Sequence, residues 1–287
     1  MIRVVAYGTH KQAYFDLFME SCKRFNIEPL ILGWGEPWVG FGKKCTDIRN
    51  YAKTLPKDDI ILAVDPFDVI FLCGLDEIEE KFRQSGSKLI VGALKVGKIM
   101  QRVYNAEFNK TGKPTPKTKY GYDYVNSGTL ITTAGYAVEL FDRFVSEFGM
   151  TPTTMDQEIF TALHVNGTGE VDLDWKCEIF HNLLFKRPLT RKPDMKDLEF
   201  DKNRFYNTST GTYPCIIHAS GNASMNNLAA QLGYDPEKVK PVKNNINFFK
   251  KALFHIDQLK KEITAFLLIL IILAAGVYFF LGYIMQL

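Results

Sequence analysis

Residues 60–72 read IILAVDPFDVIFL, and this stretch limits the fold more tightly than any other. Ile60, Ile61, Leu62, Ala63 and Val64 have the length and branching of a strand covered on both faces, as in a buried parallel sheet. Pro66 cannot donate to a sheet ladder, so pairing has to stop beside it. Asp65 and Asp68 then stand just past the carboxyl end of a buried strand, where open α/β sheets bind their ligands. On spacing alone, a turn residue followed by a cap would serve equally well.

The flanking sequence alternates strand-like and helical patterns. IRVVAYG is followed by a helical stretch from about Gln12 to Phe25, then PLILGWG, then a second helix over about Lys44 to Thr54. After the 60–64 strand come a helix over Leu75–Gln84 and the strand KLIVGAL. This order predicts a three-layer α/β/α domain with a mainly parallel sheet. Lys95 to Tyr124 is rich in Lys, Gly, Pro and Thr and reads as a long, lid-like loop. Beyond it, VNSGTLITT is a strand, helices cover about 137–148 and 156–163, and VDLDWKCEIF and YPCIIHASG are late strands.

With 287 residues and a formal charge of +3, the chain has room for a large core and no basic excess that would argue for nucleic acid. Its five cysteines are odd in number and lack a C-x-x-C pair, which speaks against a disulfide framework or structural zinc and for reduced thiols. The opening MIRVVAYGTH has too short an apolar run for a secretory signal and reads as the first strand. From Ile263 to Leu287 no residue is charged, and the run exceeds the roughly 20 residues that span a bilayer as a helix. The expected organisation is a globular α/β domain over 1–240, an amphipathic juxtamembrane helix over 241–262 and a transmembrane tail anchor over 263–285. Lys260 and Lys261 flank the anchor and place the globular part on the cytosolic face.

Polar residues interrupt apolar runs at several apparent strand ends: Asp65 and Asp68, Asn126-Ser127-Gly128, Asp156-Gln157, Asp174, and His218 with Gly221-Asn222. Together they suggest a polar cleft along the sheet edge. Two carboxylates and an imidazole form a hard O/N donor set suited to Mn²⁺ or Mg²⁺. Neither a P-loop nor G-x-G-x-x-G is present, so a metal would take over the task of holding a diphosphate. Phosphoesterase chemistry would want more Asp and His than the five histidines allow.

The ordered set ILGWGEPW (31–38), DPFDVIF (65–71), VNSGTLI (125–131), MDQEIF (155–160), LDWKCEIFHNL (173–183) and IHASGN (217–222) resembles the glycosyltransferase domain of the procollagen lysyl hydroxylases. It is also similar to the collagen galactosyltransferases, and a large-virus homologue would fit the same pattern. The resemblance implies a GT-A fold and a UDP-hexose donor, UDP-glucose or UDP-galactose, held through Mn²⁺. By position it makes Asp65, Asp68 and His218 the metal ligands and sets Phe67 against the uracil ring. It puts Trp38 and Lys44 in the donor-site loop, Asn126 and Ser127 at the sugar or ribose, and Asp156, as the catalytic group, with Gln157 at the hexose hydroxyls. Gly221 and Asn222 close the donor site. The acceptor it implies is a hydroxyl, with collagen-like hydroxylysine or its glycan as the family example. The alternative is a degenerate nucleotide-sugar-binding protein tethered to a membrane. The chain departs from the family in having only TPTTMDQ where an acidic run is expected, and KVGKIMQRV where a tryptophan-containing loop is expected.

Overall fold

All five side chains of the 60–64 run are buried in the computed structural model, which describes residues 1–184, 192–221 and 223–242. The expected juxtamembrane segment from residue 243 onward, the transmembrane segment and Asn222 lie outside the described residues. Among those described, no helix is long and apolar enough to cross a membrane.

The chain runs β1 (Ile2–Tyr7), α1 (Phe15–Arg24), β2 (Leu30–Leu32), α2 (Phe41–Ala52), β3 (Ile60–Val64), β4 (Val69–Phe71), α3 (Leu75–Ser85) and β5 (Leu89–Lys95). It continues with α4 (Lys98–Phe108), β6 (Tyr122–Thr133), α5 (Ala134–Ser146), α6 (Asp156–Asn166), β7 (Asp172–Leu173) and β8 (Phe180–Leu183). Last come β9 (Leu198–Asp201), β10 (Arg204–Asn207), β11 (Ile216–Ala219) and α7 (Asn226–Gln231). The main sheet has the order β2-β1-β3-β6-β5-β8-β11-β4, with β7 beside β5. It is mixed: β6 runs antiparallel to both β3 and β5, and β4 is antiparallel to β11.

Burial on two faces explains the unbroken apolar run of β3. Ile61 and Ala63 pack with α2, α5 and α6 through Ile48, Phe141 and Phe160. Ile60, Leu62 and Val64 face the other way, toward Phe18 and Cys22 of α1 and Ile78 and Phe82 of α3. The three layers are therefore those expected from the alternating sequence.

Two expectations change. The 95–124 stretch contains helix α4, whose Tyr104 and Phe108 rings pack 4.7 Å apart, one turn from each other. VDLDWKCEIF does not form one strand. Asp174 accepts backbone hydrogen bonds from Glu178, Ile179 and Phe180, Cys177 turns into the left-handed region, and β7 and β8 are separated. Asp174 is thus a buried turn anchor. Burial pushes its carboxyl up to about 6 against those three donors.

The sheet also curls. Only four residues join β3 to β4, yet five strand spacings separate them in the sheet order. Such a linker reaches at most roughly 18 Å, whereas a flat sheet would need roughly 24 Å. The β11–β4 edge consequently swings round to the tip of β3.

On the outer side of that edge, Arg204 of β10 forms a two-pronged ion pair with Glu77 of α3 at 2.8 and 2.9 Å, and Lys81 joins at 2.8 Å. Burial opposes ionisation of Glu77, but Arg204 and Lys81 outweigh it and hold the carboxyl at about 2. A carboxylate with a depressed folded value contributes stability above its unfolded value, and loses it as pH falls toward the folded one. The stability gap between wild type and Glu77→Gln should therefore be constant above about pH 5 and shrink between about 4.5 and 2. Urea unfolding across that range would measure it, and a pH-independent gap would contradict the ion-pair assignment.

Candidate active site

The curl brings three chain segments to one point. β3 ends at Val64, and the Asp65 N–H donates to the Gly128 carbonyl of β6 at 2.8 Å. Pro66 and Phe67 turn the chain, and Asp68 sits immediately before β4. Antiparallel pairing then sets His218 opposite Val69, with the Ala219 N–H donating to the Asp68 carbonyl at 2.7 Å. One ligand atom each from Asp65, Asp68 and His218 falls within 4.8 Å of the others.

His218 is held from behind. Its Nδ1 lies 2.8 Å from Asn182 Oδ1, and the Asn182 amide nitrogen donates to the Ala93 carbonyl at 3.0 Å, which fixes the amide orientation. Nδ1 then carries a proton and Nε2 faces the carboxylates, the orientation of a metal-ligating histidine. Nε2 stands 3.1 Å from Asp68 Oδ1, and among the described residues that buried oxygen has no other polar partner. Gly128 completes the cradle. A Cβ there would come 2.3 Å from His218 Cε1 and 2.8 Å from Asp65 Oδ2, so no side chain fits.

A second layer is built around Lys44. Gly42 lets the start of α2 press against the segment before α6, since a Cβ would meet the Thr151 carbonyl at 1.9 Å. Lys44, two residues further on, is buried, 2.8 Å from Asp156 Oδ2 and 3.6 Å from Asp65 Oδ1. Burial alone would draw its ammonium down, but Asp156 and Asp65 outweigh this and keep it above the usual lysine range. Asp156, at the first turn of α6 and 2% exposed, also accepts from the Ser127 hydroxyl at 3.0 Å. Gln157 Oε1 accepts from the Ser127 N–H at 3.2 Å, and its amide donates to the Tyr104 hydroxyl, which in turn donates to the Val125 carbonyl. Asn126 donates to Ser220 at 2.9 Å and accepts from the Gly128 N–H.

Charge is unbalanced here. Three carboxylates (Asp65, Asp68 and Asp156) meet one permanent cation, Lys44. Burial pushes Asp65 up, Lys44 draws it down, and Asp68 pushes it up again, with a net rise. Burial lowers His218, but Asp68 and Asp65 more than reverse that. Clustered carboxylates, excess negative charge and an all-O/N donor set fit a hard divalent cation.

An aromatic rim borders this cluster. Trp38, 49% exposed, stands edge-on to Tyr7 at 5.7 Å and to Phe41 at 5.2 Å. Half-buried Phe67 lies over Gly8, where a Cβ would be 2.9 Å from its Cζ, and neighbours Phe15 at 6.3 Å. Gly221 follows β11 in a left-handed turn.

The structure therefore brings Asp65, Asp68 and His218 together, and gathers Lys44, Asn126, Ser127, Asp156 and Gln157 beside them. Trp38, Phe67 and Gly221 border the group. Tyr7, Tyr104, Asn182 and Ser220 went unnoticed in the sequence. The signal for Asn182 was a polar residue inside the apolar run of LDWKCEIFHNL; the others carried none.

A family model described as "PLOD GT domain" matches residues 1–241. Procollagen-lysine,2-oxoglutarate 5-dioxygenase of Drosophila melanogaster is 30% identical over 232 residues, covering 77% of this chain and 30% of that protein. Uncharacterized protein R699 of Acanthamoeba polyphaga mimivirus is 24% identical over 258 residues, covering 86% and 51%. The human multifunctional procollagen lysine hydroxylase and glycosyltransferase LH3 is 29% identical over 236 residues, covering 76% and 29%. The chain thus spans between about a third and a half of the relatives it matches. With its curled mixed α/β sheet, its D-x-x-D turn after β3 and a family match over most of its length, this chain belongs to the PLOD glycosyltransferase-domain family.

Proposed function

We propose that the chain is a metal-dependent glycosyltransferase that moves a hexose, glucose or galactose, from a UDP-sugar to a hydroxyl acceptor. The observation that carries this reading is the convergence of Asp65, Asp68 and His218, one ligand atom from each within 4.8 Å of the others, in a member of this family. Those three residues would hold Mn²⁺, or Mg²⁺ in its place. When bound, the metal offsets the charge that grows on the departing UDP. Phe67 and Trp38 form the walls for uracil. Lys44, kept charged by Asp156 and Asp65, faces the diphosphate side of the cluster. Asn126, Ser127, Gln157 and Gly221 line the sugar and ribose side, and Asn222, next in the sequence, is assigned there by the family resemblance. Asp156 acts on the hexose side, by fixing Lys44 and Ser127. The acceptor class follows the relatives' printed activity on procollagen lysine, so hydroxylysine or its glycan is the first to test.

UDP release should be measured with UDP-glucose and UDP-galactose in the presence of Mn²⁺. Release from at least one donor is expected, with UDP competing and GDP not. No release, or equal competition by GDP, would overturn the reading. A second reading is favoured by one observation: Asp156 is the sole carboxylate in TPTTMDQ and is already engaged by Lys44. It is a binding protein that retains UDP without turnover, and binding without release would support it.

The uncharged run over 263–285 is proposed as a tail anchor with the globular part facing the cytosol. Alkaline carbonate should leave the full-length protein in the membrane pellet, and its extraction would refute the anchor.

A further inference from the structure

On the side of the β4–β11 pair away from the cleft, two cysteines approach each other. Cys73 follows β4 and Cys215 immediately precedes β11, so the ladder pairing Phe71 with Ile216 sets them diagonally across adjacent strands. Ligand atoms of Cys73, Cys215 and Glu77 lie within 4.8 Å of one another. Two thiols and a carboxylate could hold a soft metal, but cations already fill the place. Arg204 takes both Glu77 oxygens, and Lys81 bonds Glu77 Oε1 at 2.8 Å and donates to Cys215 Sγ at 3.4 Å. The Lys81 ammonium is pinned there by the carbonyls of Glu178 and Tyr213.

We infer that Cys73 and Cys215 form a modification site, a thiol pair that closes to a disulfide on exposure to hydrogen peroxide. The neighbouring Cys215 thiol and burial hold the Cys73 thiol well above its usual range, with Arg204 drawing it down less, so the closure rests on the proximity of the two sulfurs. Cys73 is 7% exposed and Cys215 fully buried, so peroxide reaches Cys73 first. The Cys73 sulfur attacks one peroxide oxygen, the O–O bond breaks, and a sulfenic acid and one water result. The Cys215 sulfur then attacks the Cys73 sulfur, the S–O bond breaks, and a second water leaves. Two thiols are oxidised by two electrons and one peroxide is reduced to two waters. The other three cysteines lack this arrangement. Cys22, Cys45 and Cys177 are buried, and among the described residues none of them shares a ligand cluster with a second cysteine.

The test uses the purified full chain, reduced, freed of reductant and treated with hydrogen peroxide. It is then denatured, alkylated with N-ethylmaleimide, digested and weighed by mass spectrometry. The expected result is one disulfide-linked species joining the peptides of Cys73 and Cys215, lost on reduction with dithiothreitol, while Cys22, Cys45 and Cys177 remain alkylated. Cys73→Ser should remove the linked species and leave Cys215 alkylatable. Full alkylation of both cysteines after peroxide would overturn the inference. So would separate oxidation to sulfinic acids without a link, or a link from Cys215 to a different cysteine.

Discussion

Replacing Asp65 by Asn is expected to remove UDP-sugar turnover by about a thousandfold and to abolish the joint stabilisation by Mn²⁺ and UDP. The size follows from several kcal/mol of charge stabilisation at the leaving diphosphate, at about 1.4 kcal/mol per tenfold in rate. Asp68→Asn should do the same, because its carboxylate is the second acidic member of the ligand cluster. The fold without metal should not suffer. Asp65 is already raised by burial and by Asp68, so an uncharged amide of the same shape relieves crowding. For wild type, a ligand that binds only the folded state at a hundred times its Kd raises stability by about 2.7 kcal/mol. Thermal unfolding with Mn²⁺, with UDP and with both, set beside initial rates, makes the comparison. A fully active Asp65→Asn/Asp68→Asn double variant would leave the aspartates as mere turn and cap residues and end the metal reading.

The second large effect is on stability. Lys44→Met should destabilise the protein by about 3–5 kcal/mol, the cost of leaving buried charge without its partner. Asp156 is 2% exposed and has Lys44 as its counter-charge at 2.8 Å. Methionine fills the volume of the lysine stem, so the loss comes from charge and not from a cavity. Combining Lys44→Met with Asp156→Asn should recover much of that loss, because the stranded carboxylate is gone. Urea unfolding of wild type, both single variants and the double variant forms the required cycle. A loss below about 1 kcal/mol for Lys44→Met would mean that the pair behaves as a solvated surface bridge.

How much of this was legible in the sequence depended on whether the signal was local. The strand at 60–64 was readable because branched apolar residues ended at a proline, and the same residues are covered on both faces by helices. Asp65, Asp68 and His218 were readable only as an ordered set. Nothing near His218 in the sequence says that it pairs across a ladder with Val69. Helix α4 escaped because its apolar positions gain meaning only once Tyr104 reaches the Val125 carbonyl. The β9–β10 hairpin had a usable local sign that was passed over. Lys202 and Asn203 both adopt left-handed φ, 48° and 68°, and form the two-residue turn between antiparallel Asp201 and Arg204. The division of VDLDWKCEIF into two strands turned on one side chain, Asp174, capturing three backbone N–H groups. A carboxylate inside an apolar run reads as a cleft residue until those donors are seen.

The curl of the sheet has a kinetic consequence. Asp68 and His218 touch, yet everything from β5 to β10 is synthesised between them. Long-range strand pairing of this kind closes late, since the loop entropy must be spent before the contact forms. During synthesis, β4 has no neighbour to pair with until β11 leaves the ribosome. A nascent or partly folded chain therefore has the D-x-x-D turn without its histidine, and acquires the complete ligand set only at the final step of assembly.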